Sequence, residues 1–338
     1  MVEFFLREGP MEGILGIAVA TVIWSVVLAL SFELARMTKS YDYKSFFQHL
    51  LGRGWFLFEI AYGILLVLVL SVVGVASGEI FTTVTGLPQI GGTLLLVAAV
   101  GFLTFKGSKT IETFLAGWSI VLYLVYAAFL FWGFRKFGPD IIERFTFTGQ
   151  PSNWFVGGVK YAAYNLAVVP IILFCISHIE SRKEAFTAGI LGGLLAMIPA
   201  VLFYCVMVGF YPAILTAAVP VNDILGAMQM PLLLIIFNVV IFGTFIETGA
   251  ALLHAVNERV ANAYHSNGRD LPRYVRPAIA LFLMVLSIFL GEKVGLIDLI
   301  AKGYGLLTYA FLVIFVLPLL TIGVYKIFKP QRDYSPAQ

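Results

Sequence analysis

The chain has 338 residues, 60% of them hydrophobic and 12% charged, and its mean hydropathy is +0.94. A water-soluble domain carries roughly twice that share of charge, so a soluble enzyme or a nucleic-acid-binding domain is excluded and a polytopic membrane protein is expected. The net charge of +3 says little by its sum, because the placement of basic residues, not their total, sets the topology of such proteins.

Met1–Arg7 reads as the tail of a helix, and residues 1–12 as the remnant of a first spanning segment. Apolar windows of about 20 residues then mark spanning helices. Nine follow in order: Gly13–Leu34, Trp55–Ser77, Pro88–Phe105, Phe114–Phe134, Trp154–Ile176, Ala185–Tyr211, Pro231–Val256, Tyr274–Gly291 and Leu296–Phe328. The third and eighth are short, and the ninth is long enough to tilt or kink at Pro318. The runs are continuous rather than alternating, which excludes a β-barrel. The longest connections are Ala35–Gly54, Arg135–Asn153, Pro212–Met230 and Asn257–Arg273, and the third of these, with Asp223 as its one charge, suits an external cap. Of the 22 basic residues, 15 fall on one set of connections and 5 on the other, with Lys160 and Lys302 inside spans. That bias predicts a cytoplasmic C-terminus and a cytoplasmic tail over 329–338.

The fifth window is unlike the rest. It carries Gly157, Gly158, Lys160, Asn165 and Pro170, which a segment meant only for lipid would avoid. Backbone broken at membrane depth is tolerated only where protein buries it or water bathes it, and transporters build solute sites from such broken helices. Lys160 and Tyr164 stand four apart and share a face. An unwound turn at Asn165–Leu166 would free peptide groups for a carboxylate or amine, whereas an asparagine there could instead hold two helices together. The expected solute-binding residues are therefore Lys160, Tyr164, Asn165 and Leu166.

The seventh window carries a second polar set. Thr244, Glu247, Thr248 and His254 fall at i, i+3, i+4 and i+10 along one face of a helix. A glutamate there suits Na⁺ when ionised and H⁺ when it holds the proton, whereas the alternative is a buried carboxylate paired to Lys302 or His254. His254 and Lys302 are possible counter-charges, Lys302 also being free to snorkel to the interface. Glu59 and Glu79 sit near helix ends and are expected to face interfacial water. Gly74 with Gly78, and Gly189 with Gly193, have the spacing of close helix contacts, and Trp55, Trp132 and Trp154 that of interface anchors. Cys175 and Cys205 both lie in apolar segments, so no disulfide or zinc site is expected. No phosphate-binding loop, metal-ligand spacing or nucleophile–base pair is present in the sequence. No enzymatic activity, cofactor or metal is expected beyond a possible Na⁺ or H⁺.

Tyr164-Asn165-Leu166, Glu3-Phe4-Phe5 and Gly78-Glu79-Ile80, in this order of segments, resemble bacterial membrane proteins of the YkvI type. These belong to the amino acid–polyamine–organocation superfamily with its LeuT-type five-plus-five inverted repeat. The resemblance implies ten spans, the first upstream of Met1, with first-repeat helices over 13–134 and second-repeat helices over 154–328. It makes the fifth window the second broken helix of the fold, and it implies that hydroxyl residues on the seventh window coordinate sodium with carbonyls of the first helix, so that Thr244, Glu247 and Thr248 are the expected coupling site for Na⁺ or H⁺. The chain lacks that glycine-rich helix, which puts half of the superfamily's site outside it. The expectation is a single all-α transmembrane domain in the cytoplasmic membrane that moves an amino acid or related amine by alternating access. A non-transporting receptor on the same fold, or an inactive truncated transporter, is the alternative. A small solute and lipid are the expected partners, with no nucleic acid.

Overall fold

The computed structural model describes residues 1–106, 108–147, 153–217, 220–265, 271–272, 274–294 and 302–329. Among these no strand occurs, and the chain is an all-helical, multi-pass membrane bundle. The elements are α1 (Pro10–Thr38), α2 (Tyr43–Leu51), α3 (Phe56–Thr85), α4 (Gln89–Lys106), α5 (Ser108–Arg144), α6 (Trp154–Asn165), α7 (Arg182–Val208), α8 (Pro220–Met228), α9 (Pro231–His265), α10 (Val275–Val294) and α11 (Tyr304–Phe328). Seven helices among the described residues are long and apolar enough to cross a membrane, and a shorter apolar helix, Val275–Gly291, matches the eighth window. The tail from 330 onward, the start of the ninth window and much of the Asn257–Arg273 connection lie outside the described residues.

Three expected connections are partly helical instead. Ala35–Gly54 holds α2, whose first turn is capped by Asp42 Oδ1 accepting the Ser45 N–H at 2.9 Å. Pro212–Met230 holds α8, and Arg135–Asn153 is helix as far as Arg144, passing through Pro139. Pro318, where the ninth window was expected to allow a kink, is flanked by two wide π turns, Leu312–Val316 and Leu319–Gly323. A proline has no N–H and crowds the carbonyl four residues back, and a widened turn relieves both.

The chain forms two compact units, and neither is one of the sequence halves. The first comprises Met1–Tyr62, Phe145–Tyr204 and Gly305–Gln338, hence α1, α2, α6, most of α7 and most of α11. Gly9, at φ +118°, a region only glycine enters freely, turns the chain so that Pro10 opens α1. Tyr204, fully buried, points its hydroxyl at the carbonyls of Gly9 (3.0 Å) and Pro10 (2.8 Å). Along α1 and α7 the expected glycine contacts are present: a Cβ on Gly189 would strike the backbone of Ala29, and one on Gly193 the backbone of Ser25. Gly189→Val is therefore expected to force the helices apart at a cost of about 3 kcal/mol, read as earlier thermal unfolding in detergent. Gly192→Val is the control, since its Cβ would meet only Leu28 Cδ1, at 3.5 Å.

An aromatic core closes this unit where α2, α3 and α11 meet. Phe46, Phe47, Phe58, Phe311 and Phe315 are all fully buried, with Phe47 stacked on Phe58 at 4.1 Å between centroids. Tyr43 of α2 donates to Glu59 Oε1 at 3.1 Å, which gives Glu59 a partner within the protein. Near the end of α1 the carboxylate of Glu33, 1% exposed, accepts from Arg36 Nε (2.8 Å) and Nη2 (2.9 Å), and Arg182 Nε lies 3.9 Å away. Arg36 Nη1 also donates to the Glu180 carbonyl at 2.9 Å, and the Arg182 guanidinium sits over the Phe328 ring at 4.6 Å. This knot joins the ends of α1, α7 and α11.

The second unit comprises Gly63–Arg144 and Cys205–Tyr304. Small residues again set its spacing. Gly74 of α3 meets Ile288 of α10, and Gly78 meets the Gln89 carbonyl of α4. Ser71 Oγ donates to the Ser287 carbonyl at 2.6 Å, joining α3 to α10. On the other side Trp118 of α5 fills the space above Gly243 of α9 and donates its indole N–H to the Val240 carbonyl at 3.3 Å. Leu103 and Ala250 pack together with Phe114 and Ile246, where α4, α5 and α9 meet. Lys136 Nζ donates to the carbonyls of Ala227 and Met228, both at 2.9 Å, and so anchors the end of α8 to α5.

Candidate functional site

The fifth window is a broken helix. α6 runs from Trp154 to Asn165 and then gives way to 3-10 turns over Leu166–Ile171 and Leu173–Ile176. Two side chains explain the place of the break. Asn165 Nδ2 donates to the Tyr161 carbonyl at 2.8 Å, so a side chain competes for an acceptor of the last α turn. Pro170 offers no N–H to Leu166 or Ala167, the carbonyls that a continuing helix would close on it. Much of the irregular segment is covered: Leu166, Ala167, Val169, Pro170 and Leu173 are buried in the first unit, while Val168 and Cys175 are exposed. The 3-10 stretch packs against α1 and α2, and α6 against the wide turn Leu312–Val316.

Gly157 and Gly158 let α6 approach closely enough to build this region. A Cβ on Gly157 would strike the Phe4 carbonyl, and one on Gly158 the Gly16 carbonyl. The N-terminal turn thereby lies against α6, with the Glu8 carboxylate accepting the Asn153 N–H at 2.7 Å. One turn before the break, Tyr161 and Tyr164 pack edge to face at 5.8 Å, with Phe4 5.5 Å from Tyr164 and Phe5 4.8 Å from Tyr161. Tyr161, Phe4 and Phe5 were not among the expected site residues; only the opening Glu3-Phe4-Phe5 motif signalled part of the cluster.

Of the expected solute residues, Lys160, Tyr164 and Asn165 are half-buried and stand within the last two turns before the break. Leu166 is fully buried, so at the break it contributes backbone rather than an open side chain. Lys160 makes no ion pair among the described residues, and its carbonyl accepts from Thr308 Oγ1 of α11 at 3.3 Å.

The expected ion residues all belong to the second unit. Thr244 Oγ1 donates to the Val240 carbonyl and Thr248 Oγ1 to the Thr244 carbonyl, each at 2.9 Å, one turn back along α9. Glu247, half-buried, is hydrogen-bonded by the side chain of Ser119 on α5. His254 is half-buried two turns further along α9, while Lys302 is exposed ahead of α11, beside Gly303, which packs on Leu68. Ser119 escaped the sequence reading because nothing in its own segment marks it; only the packing of α5 on α9 brings it to Glu247.

A scan of protein-family models finds none that matches this chain, and a search of curated proteins finds no match either.

Proposed function

We propose that the protein is a secondary active transporter of a small solute, an amino acid or related amine, coupled to Na⁺ or H⁺. It works by alternating access around the broken segment in the cytoplasmic membrane, with its C-terminus inside and no covalent chemistry. The observation that carries this reading is the end of α6 at Asn165, because irregular backbone inside a spanning segment is tolerated chiefly where it serves a binding site. Lys160, Tyr164, Asn165 and the Leu166 backbone would hold the solute, and the polar stretch of α9 the ion.

A repeat of five spans also has support. Counted along the nine apolar segments, α1 and α7 stand five apart and fall largely in the same unit, as do α3 with α9 and α4 with α10; α5 and α11 are the exception. Exchanging spans five apart turns the α4–α9 contact into the α10–α3 contact, and both are made. The equivalent connections, after α1 and after α7, each carry a nine-residue amphipathic helix, α2 and α8.

Purified protein in liposomes should accumulate a labelled amino acid or amine when a sodium or proton gradient is imposed. Binding of solute without flux would replace the transporter reading with a receptor on the same scaffold. Neither binding nor flux across a panel of such solutes would remove the proposal.

A further inference from the structure

At the start of α7 one guanidinium is held in place with its donors unspent. Arg182 lies over the ring of Phe328 at 4.6 Å and over that of Phe186 at 5.5 Å, and its Nε is 3.9 Å from Glu33 Oε1. Arg36 already takes that carboxylate at hydrogen-bond distance. The N–H groups of Arg182 therefore make no hydrogen bond among the described residues, and the side chain is 48% exposed. Lys183 follows, exposed and without an ion pair among the described residues. The acid of the same turn is engaged: Glu184 Oε2 accepts the Ser181 N–H, and Ser181 Oγ accepts the Glu184 N–H, both at 3.2 Å. Glu180 is exposed just ahead of them, so the balance of free charge is positive. Inward from Arg182, in steps of four, Phe186, Ile190 and Leu194 form an apolar stripe on α7. Ile190 and Leu194 are exposed, whereas Gly189 and Gly193 meet α1. From Phe186 to Leu194 the stripe covers roughly 12 Å, against roughly 15 Å for the hydrocarbon of one leaflet.

We propose that Arg182 and Lys183 form a headgroup site for an anionic phospholipid, with its phosphate on the Arg182 fork and an acyl chain along Phe186, Ile190 and Leu194. The site stands whether or not the protein transports a solute. Arg182 is the first residue of a span, the level at which the headgroups of a bilayer lie. A phosphate diester presents oxygens that a planar guanidinium meets two at a time. The rings of Phe186 and Phe328 hold that plane before the lipid arrives, which lowers the cost of ordering it. A zwitterionic lipid carries a cation that Arg182 and Lys183 repel, so the site selects a headgroup of net negative charge. The bound phosphate also gives Arg182 an anion of its own, as Arg36 has Glu33, and so braces the joined ends of α1, α7 and α11.

The test is a titration of the full chain in detergent micelles with dioleoyl phosphatidylglycerol, read by thermal unfolding and by lipids retained in native mass spectrometry. The expected result is saturable stabilisation with lipid retained. Its apparent affinity should fall about tenfold in Arg182→Gln, which removes a charge-assisted fork. Arg182→Lys, which keeps the charge without the fork, and Lys183→Gln should each lose less. Arg53→Gln, which removes an exposed cation elsewhere in the same unit, should leave the titration unchanged. Each variant is compared with its own unfolding temperature without lipid, which separates lost binding from a weakened fold. Should Arg182→Gln not fold, Arg182→Lys and Lys183→Gln carry the same comparison. Equal titrations of these variants and the parent protein overturn the site. An effect of Arg53→Gln as large as theirs also overturns it, because the attraction is then one of overall charge. Dioleoyl phosphatidylcholine acting as strongly overturns the choice of an anionic lipid. Glycerol phosphate acting as strongly overturns the lipid in favour of a free phosphate ester.

Discussion

Glu33→Ala is expected to destabilise the protein by about 3 kcal/mol, the lower end of the cost of breaking a buried ion pair. The change leaves Arg36 and Arg182 facing each other with nothing between them. The lower end applies because Arg182 keeps 48% of its side chain in solvent, where water relieves part of the repulsion. Thermal unfolding in detergent measures the loss. Glu33→Gln, which keeps the volume and one acceptor oxygen, should lose less. Exchanging all three residues for methionine should recover much of the stability, since an apolar triad of similar size is often as stable as the charged one. A triple variant as unstable as Glu33→Ala would show that the guanidinium contacts to Glu180 and Phe328, rather than the charge balance, hold the ends of α1, α7 and α11 together.

The second large effect is expected at the break. The double variant Asn165→Leu, Pro170→Leu removes the side chain that competes for the Tyr161 carbonyl and restores the missing N–H. Leucine in place of proline inside a helix is worth about 3 kcal/mol, so α6 should continue as regular helix through the 3-10 stretch. The protein should then unfold at the same temperature or higher, yet its solute flux in liposomes should fall to background. More stability with less activity is the mark of a site that stores strain for function. Full uptake by the double variant would show that the broken backbone has no part in binding.

The apolar windows located the seven long apolar helices found among the described residues, because a run of lipid-compatible residues is a local property. The break was legible for the same reason: Asn165 and Pro170 disturb a helix within one or two turns of themselves. The two surface helices were not. α2 and α8 have nine residues each and bury only one stripe, Phe46, Phe47 and Leu50 in the first and Val221, Ile224, Leu225 and Met228 in the second. A search for membrane-length windows passes over both, although Asp42 ahead of α2 and Pro220 at the start of α8 are recognisable helix-start signals. α5 runs on past Gly138-Pro139 to Arg144, with Lys136 reaching the end of α8, and a partner so remote leaves no local trace. Ser119 beside Glu247, and Phe4 and Phe5 beside Tyr161, belong to the same class: each is created by packing between segments far apart in the chain.

The paired wide turns of α11 carry a mechanical consequence. A π turn holds a surplus residue, and sliding that surplus one position along the axis swings the residue it passes through about 100° while every peptide group keeps a partner. We expect α11 to use this freedom as a swivel at Phe315, rotating that ring out of its edge-to-face contacts with Phe46 and Phe47 without melting the helix. Amide exchange over Leu312–Gly323 faster than over Val324–Phe328 would reveal such creeping of the bulge; equal protection would mean that it is fixed.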